Sequence, residues 1–238
     1  MMISMNRLNA IIAKEYKDAL KNSTLLLTAV IPILLSYAIG TQMNELVSIL
    51  FITLPINMAL VMTCANVQAM MIAEEKEKHT LRVLMLSPAR PMEVLLGKSF
   101  IAMMMTVIVM VASYMVAGID RIPLTGLIAI LIPSIIIYLA LGTIIGLLSR
   151  TAMESSFVSM PVMLLFLMGP MYAPALNIEL LTSLIVYTPT EQLAAAVGIM
   201  LEGGTVADIW KPIVIVSAWM AASLVACLAL YRNKRYDG

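Results

Sequence analysis

The sequence predicts an all-α, polytopic membrane protein, and three observations predict it. Of 238 residues, 61% are hydrophobic and 12% charged, with a mean hydropathy of +0.97. A soluble domain carries about 45–50% apolar and about 25% charged residues. The apolar residues form six runs, Leu25–Gly40, Leu46–Ala73, Phe100–Gly118, Leu124–Ser149, Phe157–Ala175 and Pro212–Tyr231, none containing Lys, Arg, Asp, Glu or His. A helix of about 20 mostly apolar residues crosses the hydrocarbon layer, roughly 30 Å thick. With the N-terminus in the cytoplasm, 13 of the 15 basic residues lie inside and only Arg121 and Lys211 outside, the bias that orients membrane proteins. Together these predict one membrane domain over 1–238, with both termini cytoplasmic. They exclude a soluble enzyme, a disordered chain and a nucleic-acid binder.

Residues 5–21 precede the first span as an amphipathic helix. At about 100° per residue, Leu8, Ile11, Ile12, Tyr16 and Ala19 share one face, while Arg7, Lys14, Lys17 and Lys21 gather on the other. Such a helix lies in the membrane interface against lipid headgroups. Glu15 falls on the apolar face and requires a partner group there. Residues 1–21 are polar and basic, so no cleavable signal peptide is expected. The first span carries Pro32 and has the least defined ends.

The second span holds Thr53, Asn57, Cys64 and Gln68 within about 60° of one another at helical periodicity. This stripe either lines a translocation path, with Thr53, Asn57 and Gln68 as its candidates, or makes inter-helix hydrogen bonds. Asn66 points the other way, as a packing residue. From Glu74 to Lys98 a charged helical extension, a turn with Pro88 and Pro91, and a second short helix form the longest inner loop. Gly97-Lys98-Ser99 is not a phosphate-binding loop, since the pattern requires glycine where Met92 stands.

In the fourth span Gly142 and Gly146 form a G-x-x-x-G pair, and in the last Ala218, Ala222 and Ala226 a similar small face. Such faces let helices approach closely. Gly169-Pro170 and Pro174 are expected to break the outer end of the fifth span. The apolar stretch 178–201 is long enough to cross, but Thr188-Pro189-Thr190-Glu191 sits at its middle. Proline removes a backbone donor and a charge there is costly, so two short re-entrant helices on the outer side are expected.

Ion-coupled carriers and intramembrane hydrolases rely on ionisable residues within their spans, and these spans have none. His79 is the only histidine, Cys64 and Cys227 the only cysteines. No nucleophile–base pair or metal set is formed, and the 22 methionines read as flexible apolar filler. The chain is expected not to be an enzyme and to carry no cofactor or metal. Its energy source must lie outside the spans.

The stretch Ile72-Ala73-Glu74-Glu75-Lys76-Glu77-Lys78-His79-Thr80-Leu81, followed by Leu84, Ser87-Pro88 and Leu95-Leu96-Gly97-Lys98, resembles the signature loop of type-2 ABC exporter permeases. Ala13-Lys14-Glu15-Tyr16-Lys17-Asp18 is similar to that family's interfacial helix. His79 departs from the pattern, which often has glycine there. The resemblance implies a permease subunit in the cell membrane, paired with a second permease subunit and with separate ABC ATPase subunits carrying ATP and Mg. It would export a drug, peptide or lipid-like substrate. Glu15, Glu75, Glu77, Thr80, Leu81 and Pro88 would form the ATPase-docking and coupling surface. The alternative is a non-transporting membrane scaffold or immunity protein.

Overall fold

The computed structural model describes residues 5–42, 49–78, 91–117, 124–176 and 179–236. Among them the secondary structure is helical. Helix α1 is Met5–Lys21 and α2 is Ser23–Gln42. Helix α3 runs Ile49–Met58, passes through a π-helical stretch Ala59–Ala65 and continues as Asn66–Glu77. Helices α4 (Pro91–Ala117) and α5 (Leu124–Leu148) follow. Helix α6 runs Ala152–Met163, through π-helical Leu164–Met168, and on as Gly169–Leu176. Helices α7 (Glu179–Ile185), α8 (Pro189–Leu201) and α9 (Trp210–Tyr236) complete the fold.

Five helical stretches are long and apolar enough to cross a membrane: Ile52–Glu77, Glu93–Ala117, Gly126–Leu148, Ala152–Ala173 and Trp210–Tyr231. Two helix pairs, α1–α2 and α7–α8, are bent by 75° and 68° and would add a span each if each crossed as one. The α1–α2 bend falls at Asn22, whose Oδ1 accepts from the backbone N–H groups of Thr24 and Leu25. That is an N-cap, supplying acceptors to donors the first turn of α2 leaves orphaned. The α7–α8 bend falls at the Thr-Pro-Thr-Glu sequence. Thr188 caps α8 by accepting from the Glu191 N–H, and Pro189 occupies the first turn, where its missing donor costs nothing.

Helix α3 is the centre of the fold, with 94% of its apolar window buried; the figure is 22% for α6 and 17% for α9. It packs against α4, α5 and α6, while α9 packs on α5 and α2 on α4. Gly142 and Gly146 set the α3–α5 distance. A Cβ at Gly146 would lie 2.6 Å from the Ala69 carbonyl oxygen, and one at Gly142 would meet the Ala65 carbonyl. The G-x-x-x-G face is thus consumed inside the subunit. Ala218, Ala222 and Ala226 instead lie on the exposed side of α9.

The fifth run differs from expectation at both ends. Its helix starts at Ala152, because Thr151 caps it by accepting from the Glu154 N–H at 3.1 Å. It is not broken at Gly169-Pro170, which lies inside the same apolar helical span. The π-helical stretch Leu164–Met168 precedes that proline; a wider turn is a known way for a helix to absorb a shift in its hydrogen-bond register.

Candidate functional site

One end of the bundle, where α1 packs on α4 beside the end of α3, holds a cluster of charged side chains. Leu8, Ile11 and Ile12 are partly buried and Ala19 fully buried, and Glu15 sits among them at 4% exposure. Tyr16, expected on that face, stays exposed. Gly97 allows the approach of α1: a Cβ there would stand 2.6 Å from Cγ2 of Ile11. The next residue, Lys98, then reaches Glu15.

Lys98 Nζ lies 2.7 Å from Glu15 Oε2 and 3.3 Å from Glu75 Oε1, and donates a hydrogen bond to the former. All three are buried, Lys98 at 4% and Glu75 at 7% exposure. Lys14 Nζ adds a contact of 3.0 Å to Glu15 Oε1 from the rim. A second ion pair, Arg7 Nε to buried Glu93 Oε2 at 3.9 Å, joins the start of α1 to the first turn of α4. A buried charge costs several kcal/mol unless paired, so the carboxylates and Lys98 depend on one another. A crevice of about 560 Å³ opens beside the cluster, lined by Lys14, Asp18, Asn22, Met71, Glu74 and Lys78 among others.

Burial alone would push the Glu15 carboxyl up, but the charge and hydrogen bond of Lys98, helped by Lys14, hold it below the ordinary 4.5. A carboxyl whose folded pKa is depressed contributes stability that is full above its unfolded value and is lost as pH falls through the folded one. The Glu15 share of α1 docking should therefore be full above pH 4.5 and be lost as pH falls through the lower folded value. Limited pepsin digestion checks this: cleavage within 5–21 should rise on acidification while the apolar helices stay protected.

The residues expected at a docking surface fall into three groups. Glu15 and Glu75 turn inward onto Lys98, so their carboxylates contact this chain. Glu77 is exposed, and its Oε2 accepts from the Ala152 N–H at 3.0 Å, at the start of α6. Thr80, Leu81 and Pro88 lie outside the described residues, as do His79 and Arg121. Beside Glu77, Lys76 Nζ donates to the carbonyl oxygens of Leu147, at 2.8 Å, and of Ser149, at the end of α5.

Thr53, Asn57 and Gln68 are all buried inside the subunit. Thr53 donates to the Ile49 carbonyl one turn back. Gln68 Nε2 donates to Ser99 Oγ and Thr143 Oγ1, each at 3.0 Å, tying α3 to α4 and α5. Cys64 Sγ contacts the Ile135 carbonyl of α5 at 3.7 Å. The expected outcome for Gln68→Leu is a loss of about 0.6–2 kcal/mol, the usual worth of such bonds in membranes, measured as a lower thermal midpoint in detergent.

Sequence reasoning did not identify Lys98 and Lys76 as partners. A signal for the first was present, since Glu15 on an apolar face demands a cation. For Lys76 there was none, because its acceptors are backbone carbonyls at the end of a helix about 70 residues away and carry no side-chain signature.

A family model described as ABC-2 family transporter protein matches residues 1–230 of the chain. No curated protein matches it.

Proposed function

Because this chain belongs to the ABC-2 type transporter permease family, we propose that it is the membrane subunit of an ATP-driven exporter. In this reading α2 to α6 and α9 are six spans, α1 lies in the cytoplasmic interface, and α7 and α8 re-enter the outer leaflet. The protein sits in the cell membrane with both termini inside, paired with a second permease subunit. Separate ABC ATPase subunits bind from the cytoplasm and carry the ATP and Mg. The substrate is a drug, peptide or lipid-like molecule.

The observation that best supports this reading is the clamp of α1 onto α3 and α4 through Lys98. It makes one body of α1 and the stretches of α3 and α4 that flank residues 79–90 in sequence. A partner pressing on that segment, with Thr80, Leu81 and Pro88, moves a rigid unit and not a loose tether. Glu15 and Glu75 then serve coupling by holding that unit together, and exposed Glu77 lies two residues before the docking segment in sequence.

The test is co-purification in mild detergent with a co-expressed candidate ABC ATPase, followed by ATP-dependent efflux from everted vesicles. Retention of the ATPase and efflux of a dye or peptide are expected. An ATPase that neither binds nor changes its hydrolysis rate when the chain is present overturns the exporter reading in favour of a scaffold.

A further inference from the structure

The break between α7 and α8 reaches well into the bundle. Trp219 Nε1 donates to the Tyr187 carbonyl at 2.7 Å. Trp219 itself stands about 13 Å along α9 from Trp210, where the span Trp210–Tyr231 begins. The far end of α8 gives the same depth. A Cβ at Gly126, where the span of α5 begins, would meet the side chain of Met200. Glu191 precedes Met200 along α8 by about 13 Å at the helical rise per residue. In a hydrocarbon layer roughly 30 Å thick, the first turn of α8 therefore lies away from the surface.

Glu191 stands in that turn, and the local structure leaves its carboxylate unused. Thr188-Pro189-Thr190-Glu191 has the form of a capping box, in which the glutamate reaches back to the N–H of the cap residue. Only half of the box forms. Thr188 Oγ1 accepts from the Glu191 N–H, but the Thr188 N–H is spent on the Ile185 carbonyl at 2.9 Å. The hydroxyls of Thr188 and Thr190 lie 3.1 Å apart, and the Gln192 amide donates to the Val186 carbonyl. Among the described residues no side chain pairs with the Glu191 carboxylate. Lys211, the basic residue on neighbouring α9 toward its outer end, is exposed and about 12 Å from Trp219 along that helix. The positive end of α8 offsets part of the cost of a carboxylate at this depth. The rest calls for a cation.

A single carboxylate suits one kind of cation. Metal ions such as calcium take about six to eight oxygen ligands, and the described residues hold no group of three or more His, Cys, Asp or Glu fit for a metal. An organic ammonium asks only for a charge and an apolar seat. Leu180, Leu184, Val186 and Tyr187, on α7 and the turn after it, are all exposed, and the face of a tyrosine ring attracts such cations.

We infer that Glu191 is the anionic anchor of a binding site, at the break between α7 and α8, for an organic ammonium with an apolar body. This deepens the exporter reading by naming cationic amphiphiles as the substrate class. It rests on that reading for transport and not for binding.

The full chain alone in dodecyl maltoside tests the binding. The sequence has two tryptophans, so Trp210→Phe leaves Trp219 as the sole emitter, within a turn of the site. N-dodecylpyridinium, a cationic amphiphile whose ring quenches tryptophan, is the probe. Quenching should saturate, and dodecyltrimethylammonium should reverse it while neutral dodecanol does not. In that background Glu191→Gln should weaken binding about tenfold or more, the effect of losing one charge-assisted contact, and Glu191→Asp should retain most of it. The thermal midpoint of Glu191→Gln should be unchanged or raised, because an uncompensated charge is removed. Equal quenching in Glu191→Gln and its parent overturns the inference, as does equal displacement by dodecanol. A lowered midpoint with unchanged quenching assigns Glu191 to the helix cap alone and overturns it too. Everted vesicles containing the chain and a co-expressed ABC ATPase separate this from the exporter reading. Saturable binding without ATP-dependent uptake of the probe keeps the site and overturns the exporter. ATP-dependent uptake of a neutral peptide by a chain that shows no saturable quenching keeps the exporter and overturns the site.

Discussion

Replacing Lys98 by methionine should release α1 from the bundle and cost about 3–5 kcal/mol, the effect of breaking a buried ion pair from one side. That is a large share of a domain stability of about 5–15 kcal/mol. The mechanism is the stranding of two carboxylates, Glu15 and Glu75, which lie 2.7 and 3.3 Å from the ammonium and are nearly excluded from solvent. With that cation gone Glu15 keeps only the rim contact to Lys14 at 3.0 Å, so the carboxylates are driven toward taking up protons, or α1 swings out and hydrates them. The triple variant Lys98→Met, Glu15→Gln, Glu75→Gln removes all three charges together. It should recover most of the loss, because a neutral cluster of similar volume no longer carries an unpaired buried charge. Denaturant unfolding in detergent and tryptic cleavage within 5–21 at neutral pH read the two effects. Equal destabilisation in the single and triple variants would show that Lys98 acts through packing and not through charge.

This cluster also marks where the sequence was legible and where it was not. The all-helical fold and the bounds of α1 follow from composition and a 3.6-residue period, which are local properties. So does the break before α8, because Thr188, Pro189 and Glu191 are adjacent residues whose capping chemistry needs nothing distant. Glu15 announced a missing partner by its place on an apolar face, but Lys98 is 83 positions away, and only the packing of α1 on Gly97 brings them together. The course of α6 departs from the local expectation for a related reason. Pro170 is a strong local signal for a break, yet the π-helical stretch before it lets the helix continue. The stripe in α3 remained ambiguous in sequence because a polar face toward a pore and one toward neighbouring helices have the same period. Its surroundings, with Ser99 and Thr143 opposite Gln68, come from two other helices.

The second large effect is expected at Gly142. An alanine there adds a Cβ that meets the Ala65 carbonyl oxygen and comes within 2.9 Å of Gln68 Cβ. The first is a backbone atom in the most buried helix, so relief requires α3 and α5 to separate. Overpacking of this kind costs about 1–3 kcal/mol. Moving Gln68 also strains its bonds to Thr143 and Ser99, adding part of their about 0.6–2 kcal/mol. Against this stands the better helix propensity of alanine, worth about 0.8–1 kcal/mol over glycine. The net should be destabilising, and larger still for Gly142→Val. Gly126, in the same helix, is the control. A Cβ there meets the terminal methyl and sulfur of Met200, a flexible side chain that can turn away. At Gly126 the propensity gain should win or break even, so Gly126→Ala should leave the thermal midpoint unchanged or raised while Gly142→Ala lowers it. Equal shifts in the two variants would mean that α3 and α5 can part at little cost, and the close contact would not be what holds the central helix in place.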